Sequence, residues 1–422
     1  MGKWVKDRLD SLGDIVAGGT PSTNVDAYWD GEIPFVTPYD LSKCAGVWID
    51  KTARYITKAG LKNSAANLLP PQSIVISTRA PIGYIALTLE PSVSNQGCKS
   101  VVLKEDQDKV FHCYNLSAYV GEMKRLGVGT TFSEISKADL SRIKVCHPVS
   151  LDEQRHVAEI LTTCDEVIEK SEAVAEKYRA IKAGMLKDLF TRGIGKNGKL
   201  RPPPESAPQL YRDTALGKVP REWEIKTIGE MFSFKNGVSK GKEYFGHGVP
   251  IVNFTDVFNK PRITPDALKG RVEMDRHEIE SFAVKSGDVF FTRTSETPEE
   301  IGMAAVVIGE FVDTVFSGFV LRGRPISEDL EDEFKVFCFR TDAIRKRIVG
   351  DCSYTTRALT NGTKLSAIKM GVPSKCEQQR IAERLSAIDA KIADELAVVA
   401  KYRRVRAGLM ARLLTPPDME VE

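Results

Sequence analysis

The 422-residue sequence has no run of 18 apolar residues, no Cys-x-x-Cys pair, no Gly-x-x-x-x-Gly-Lys-Ser/Thr loop and no Asn/Asp-Pro-Pro-Tyr/Phe motif. These absences argue against a membrane span, a zinc ribbon or disulfide framework, a P-loop nucleotidase and an amino-methyltransferase. The opening MGKWVKDRLDSLGD lacks a signal-peptide core, so the chain is expected to be soluble and cytoplasmic. Of the eight cysteines, Cys164 and Cys376 lie in or beside the repeat described below and read as small apolar fillers. The five histidines (112, 147, 156, 247, 277) show no metal-ligand spacing. Pro265-Asp266 and Glu333-Phe-Lys335 are too far apart and too ordinary to make a nuclease motif. Net charge is only +3, so binding to nucleic acid requires locally sorted charge.

What the chain does contain is a duplication. Glu153–Thr191 returns at Glu377–Thr415, a fixed offset of 224, with 16 of 39 positions identical. Such a repeat has to be settled before any local reading. Neither copy contains proline, and apolar residues recur at three- and four-residue steps. The first stripe is Val157, Leu161, Cys164, Ile168, Ala175, Tyr178, Ile181, Met185 and Leu189. The second is Ile381, Leu385, Ile388, Ile392, Val399, Tyr402, Val405, Leu409 and Leu413. Each copy reads as one helix of roughly 58 Å whose narrow stripe needs a partner helix. Charge selects the direction. Residues 153–176 carry −5 and 177–191 carry +3, whereas 377–400 carry −2 and 401–415 carry +5. Only antiparallel pairing sets opposite signs together.

The segments before each helix also resemble one another. IPFVT (33–37), SIVIS (73–77), YIALT (84–88) and KSVVL (99–103) are β-rich runs between turns, with helical pieces near 110–126 and 136–143. SIVISTR, ending at Arg79, parallels DVFFTR, ending at Arg293, and LSRIKVCHP (140–148) parallels LSAIKMGVP (365–373). The predicted fold is α+β: two similar mixed α/β domains, 1–150 and 223–375, separated by long helices at 151–192 and 376–415 that form a pseudo-two-fold antiparallel coiled coil. Residues 193–222, with Pro202–Pro204, read as a flexible linker, with packing along the coil as the alternative. A molecule with two like ends suits duplex DNA contacted at two places, and divergence between the domains predicts an asymmetric target with an unread spacer. A coiled-coil scaffold with protein-binding ends is the competing reading.

The order of GGTPST (18–23), YWDGEIPFVTPYDL (28–41), STRAPIGYIA (77–86), SNQGCKS (94–100) and TTFSEISKADLSRIKV (130–145), with an EQ-initiated helix after each of the two domains, resembles the specificity subunits of Type I restriction–modification systems. The second domain departs from the pattern, with FSGF (316–319) in place of SNQG and an insertion after Arg293. The resemblance implies two target-recognition domains in a non-catalytic subunit. Its partners would be double-stranded DNA, two methylation subunits and helicase-nuclease restriction subunits. S-adenosylmethionine, ATP and Mg²⁺ would belong to those partners, with no cofactor or metal in this chain. Arg79 and Arg293 are candidates for guanine edges or phosphates; Asn95, Gln96 and Lys99 for adenine edges and backbone. Thr37, Tyr39, Thr130 and Thr131 are candidates for phosphate contact, as are Asn253, Thr255, Thr355 and Arg357 in the second domain.

Overall fold

The computed structural model describes residues 2–44, 46–127, 134–354 and 357–416. Two compact units emerge: Met1–Ala175 with Ala393–Glu422, and Glu176–Ile392.

In the first unit a five-stranded sheet has the order Gly13–Ala17, Cys98–Leu103, Ile74–Ser77, Ile85–Thr88, Trp48–Ile49, antiparallel except at its last pair. The strand Ile74–Ser77 is apolar without alternation because both of its faces are covered. Ile74 and Ile76 join Leu87, Val101, Phe111 and Met123 on one side, while Val75 joins Val36, Leu41 and Ala86 on the other. A smaller sheet pairs Trp29–Val36 with Arg54–Ile56 and Val93–Ser94. The helical piece expected near 110–126 is two helices, Lys109–Ser117 and Val120–Leu126.

The second unit repeats this topology strand for strand. Its five-stranded sheet runs Phe232–Asn236, Val320–Pro325, Val289–Thr292, Ala304–Val307, Arg262–Ile263. Its smaller sheet joins Arg271–Val272, Phe245–Val252 and Val315–Phe316. Val289 and Phe291 face one core, Phe290 the other.

The long helices are Leu151–Thr191 and Lys375–Leu413. Inside the first unit Arg406 reaches Asp165 at 2.6 Å and Arg403 reaches Glu172 at 2.5 Å. Inside the second, Lys182 reaches Asp389 at 2.5 Å and Lys391 lies over the Tyr178 ring. Residue numbers fall along one helix as they rise along the other, so the pairing is antiparallel in both units. The apolar stripe is less uniform than the sequence suggests. Val157 and Leu161 belong to the first unit's core with Leu409 and Leu413, and Ile381 and Leu385 to the second's with Met185 and Leu189. Ile181 and Val405, expected in the seam, are exposed. A straight helix turns every 3.6 residues, and a stripe spaced nearer 3.5 drifts off the contact line. Cys164 is a buried filler, but Cys376 is exposed.

The shared Gln of the EQ pair has a structural reason. Gln154, fully buried, donates to the Pro148 carbonyl (2.8 Å) and accepts from the Asp108 N–H (2.8 Å). Gln378, equally buried, donates to the Pro373 carbonyl (2.9 Å) and accepts from the Glu331 N–H (2.9 Å). Each carboxamide thus ties the start of a long helix to two loops of its own domain.

Residues 193–222 are not a flexible linker. Arg201, 6% exposed, forms a bidentate pair with the buried Glu377 (2.5 and 3.0 Å) and also bonds Glu222 (2.7 Å). Glu377 further accepts from the Ile194 N–H and the Trp223 indole. Tyr211–Thr214 and Gly217–Pro220 close a hairpin. A buried carboxylate needs partners, and this segment supplies them.

Beside Gln154, His112 is sealed in the core with Nε2 on the Gln107 amide oxygen (2.9 Å) and His147 stacked edge-on. His147 in turn faces Asp7 and the Pro148 carbonyl. Burial, helped by His147, pushes the His112 pKa from 6.5 down to about 3. The unfolded chain therefore takes up this proton first, and the stability His112 confers above about pH 6.5 is lost as pH falls toward 3. Between pH 7.5 and 5 the wild type should lose about 2 kcal/mol more stability than a His112→Gln variant, measured by urea denaturation at both pH values. Equal losses would refute this.

Candidate nucleic-acid interface

At one end of the first unit's large sheet, main-chain hydrogen bonds gather four loops. Ser77 ends its strand, accepts from the Tyr84 N–H (2.8 Å) and donates to the Pro81 carbonyl (2.8 Å). This closes the 78–83 turn, where Gly83 adopts φ +101°, a region that favours glycine. The N–H groups of Thr78 and Arg79 both donate to the Gly97 carbonyl, and the Ile135 N–H donates to the Thr78 carbonyl. Asn95 donates from its N–H to the Val36 carbonyl and accepts from the Gly97 N–H on Oδ1 (3.1 Å). Gly18 packs so closely on Asn95 that an added Cβ would lie 1.9 Å from its carbonyl oxygen.

This frame brings Thr37, Tyr39, Arg79, Asn95 and Gln96 to one place. Their freedom differs. Tyr39 is 62% exposed, with the Lys43 ammonium 5.5 Å from its ring. Gln96 is exposed and bonded to Thr20. Thr37 caps the Pro38–Lys43 helix, and Asp40 accepts from the Thr37 and Ala53 N–H groups (2.8 and 2.7 Å). Asn95 spends its side-chain oxygen holding the turn. Lys99 is not placed for adenine edges or backbone: it is 5% exposed and bonds Glu134 (3.1 Å) and Thr78 (3.3 Å). An ammonium on this buried central strand is tolerated because Glu134 faces it. Arg79, half-exposed, gives its Nε to the same Glu134 (2.8 Å). Partial burial pushes the Glu134 carboxyl up, but its bonds from Arg79 and Lys99 outweigh this and hold its pKa below the usual value. Thr130 and Thr131, and Thr355 in the second unit, lie outside the described residues.

The second unit builds the same frame. Thr292 accepts from the Met303 N–H and donates to the Glu300 carbonyl, as Ser77 does with Tyr84 and Pro81. The Arg293 N–H donates to the Phe319 carbonyl, the Thr360 N–H to the Arg293 carbonyl, and the Ser317 N–H to the Val252 carbonyl. These bonds equate Ser77 with Thr292, and so Thr78 with Arg293 and Arg79 with Thr294. Arg79 and Arg293, read from the sequence as counterparts, are one residue out of register. On extended chain that step points neighbouring side chains to opposite faces.

The same correspondence equates Gly97 with Phe319, Glu134 with Leu359 and Lys99 with Leu321. The ionic trio Arg79–Glu134–Lys99 of the first unit is thus Thr294–Leu359–Leu321 in the second. Phe319 is 62% exposed and Leu359 41%. Asn253 and Asp256 form the capping box that Thr37 and Asp40 form in the first unit, while Thr255 and Arg357 are exposed. Phe319, Leu359 and Glu134 were not among the residues the sequence singled out. The FSGF departure was the only available signal, and it did not show that its last residue replaces a glycine.

Two copies of one α/β domain, each presenting polar and cationic side chains on a loop frame and each followed by a long helix, define a duplicated recognition module. The model of the Type I restriction modification DNA specificity domain matches residues 1–177 and again 220–397, and the chain belongs to that family. The MjaIX specificity subunit of Methanocaldococcus jannaschii is 22% identical over 416 residues, 97% of this chain and 92% of its own. The EcoR124I/EcoR124II specificity subunit of Escherichia coli is 28% identical over 164 residues, 37% of this chain and 40% of its own. The solved S subunit of a Type-I restriction-modification system from M. genitalium covers 99% of this chain and 97% of its own at TM-score 0.59 and 18% identity. DNA target recognition within a Type I restriction–modification system is therefore the function of this chain. Among the described residues no helix is long and apolar enough to cross a membrane.

Asp40 anchors the exposed Tyr39 helix through its bonds to Thr37 and Ala53. Asp40→Ala, which leaves those N–H groups unpaired, should cost about 2–3 kcal/mol by chemical denaturation. A change under about 0.5 kcal/mol would show that the cap is dispensable.

Proposed function

We propose that the chain recognises a bipartite, asymmetric double-stranded DNA target, one half through each unit, and that it carries no catalytic step itself. The observation that carries this reading is the repeated main-chain frame fitted with non-equivalent side chains: two like readers with unlike chemistry call for two unlike half-sites. Phosphate contact fixes register, and base-edge contact gives sequence information. In the first unit Tyr39, Thr37 and Arg79 suit phosphate or groove contact and Gln96 a base edge; in the second Arg293, Arg357, Asn253 and Thr255 do. Two methylation subunits dock along the long helices, and restriction subunits complete the assembly in the cytoplasm. S-adenosylmethionine, ATP and Mg²⁺ act in those partners.

The decisive experiment selects duplexes from a random pool with the chain assembled with its methylation subunits. Two short, different half-sites separated by a spacer of constant length are expected. A single contiguous or palindromic site, or no enrichment, would overturn the proposal. On a selected duplex, Arg79→Ala should weaken binding and lower the slope of log affinity against log salt by about one, the counterion release of one phosphate contact. An unchanged affinity and slope would remove Arg79 from the interface.

A further inference from the structure

We propose that the second unit reads its half-site through a methyl group: Phe319, beside Arg293, is an apolar reader for the 5-methyl of thymine in the major groove. The inference rests on the reading of the chain as a two-half DNA reader. It goes further by naming the specificity-determining residues and the base feature they take.

The argument starts from what the frame replaces. At the position of Gly97, which has no side chain, the second unit carries Phe319; at that of Glu134, which neutralises Arg79 and Lys99, it carries Leu359. Both side chains are exposed, at 62% and 41%. The Phe319 carbonyl accepts from the Arg293 N–H, and the Arg293 carbonyl accepts from the Thr360 N–H. Arg293 therefore stands in the main-chain ladder between Phe319 and Thr360, beside the exposed ring, and is in no ion pair among the described residues, while Leu359 pairs with Thr294 one position on. A guanidinium beside an exposed ring matches a base-pair step that offers an acceptor edge beside a methyl. In the major groove only thymine presents that methyl, and apolar side chains are its usual contacts. The first unit keeps the polar set Gln96, Arg79 and Glu134 at this place and is not expected to respond to a methyl.

The test uses the full assembly and the duplexes it selects from a random pool. Each thymine of each half-site is replaced in turn by uracil, which deletes only the methyl. In one half-site, wild type should lose about fourfold in affinity at one thymine, the transfer free energy of a single buried methyl. Phe319→Ala should lose about that much on the thymine duplex and become indifferent to uracil, while Phe319→Leu keeps part of the response. Arg79→Ala should disturb the other half-site only. Because Phe319 is exposed, Phe319→Ala should melt with wild type, and matching melting curves separate lost contact from lost fold. A second half-site made only of G·C pairs, or equal uracil responses in wild type and Phe319→Ala, would overturn the inference. So would weaker capture of the methylation subunits by Phe319→Ala with its uracil response intact. If no two-part site is selected at all, the proposed function fails instead.

Discussion

Two buried carboxamides hold the architecture together. A glutamine removed from water must satisfy both its oxygen and its amide nitrogen, and Gln154 and Gln378 do so with loops that flank the start of each long helix. Substitution would leave main-chain groups of two loops without partners, so the helix and its domain are fixed as one body. In the second unit Glu377, next in the chain, adds an ionic anchor through Arg201 and draws residues 193–222 onto the surface. The EQ pair that opens each repeat is a joint between helix and domain.

The sequence made the helices legible because a long helix with one apolar stripe writes its period and its charge gradient directly into the chain. The duplicated topology was legible for the same reason, in strands that are apolar throughout because both faces are covered. What was not legible depends on register and on partners. Aligning SIVISTR with DVFFTR by their final arginines looks natural, yet the hydrogen bonds of Ser77 and Thr292 shift the correspondence by one. Lys99 resembles a DNA contact because its neighbours do, but its strand lies inside a sheet, between two others, and Glu134 is 35 positions away. Ile181 and Val405 fit the stripe and miss the contact, since a fixed spacing cannot follow a helix of non-integral turn. Arg201 gave no sign in sequence of being buried, because its carboxylate partners come from distant segments.

The bonds that join the loops of the frame run between main-chain groups: Thr78, Arg79, Gly97 and Ile135 in one unit, Arg293, Phe319 and Thr360 in the other. Main-chain bonds do not depend on residue type. An ionic trio in one copy can therefore be an uncharged one, a threonine and two leucines, in the other without loss of the turn, and the side chains facing solvent are set by what they meet.

The replacement of Gly97 by Phe319 gives the chain a polarity. A symmetric reader would accept a duplex in either sense, but one unit offers a bare turn beside charges and the other a protruding ring. A duplex turned end for end would bring each half to the wrong chemistry. On the two-part target proposed, the two strands would cease to be equivalent once bound, and whatever assembles on the chain would inherit a front and a back.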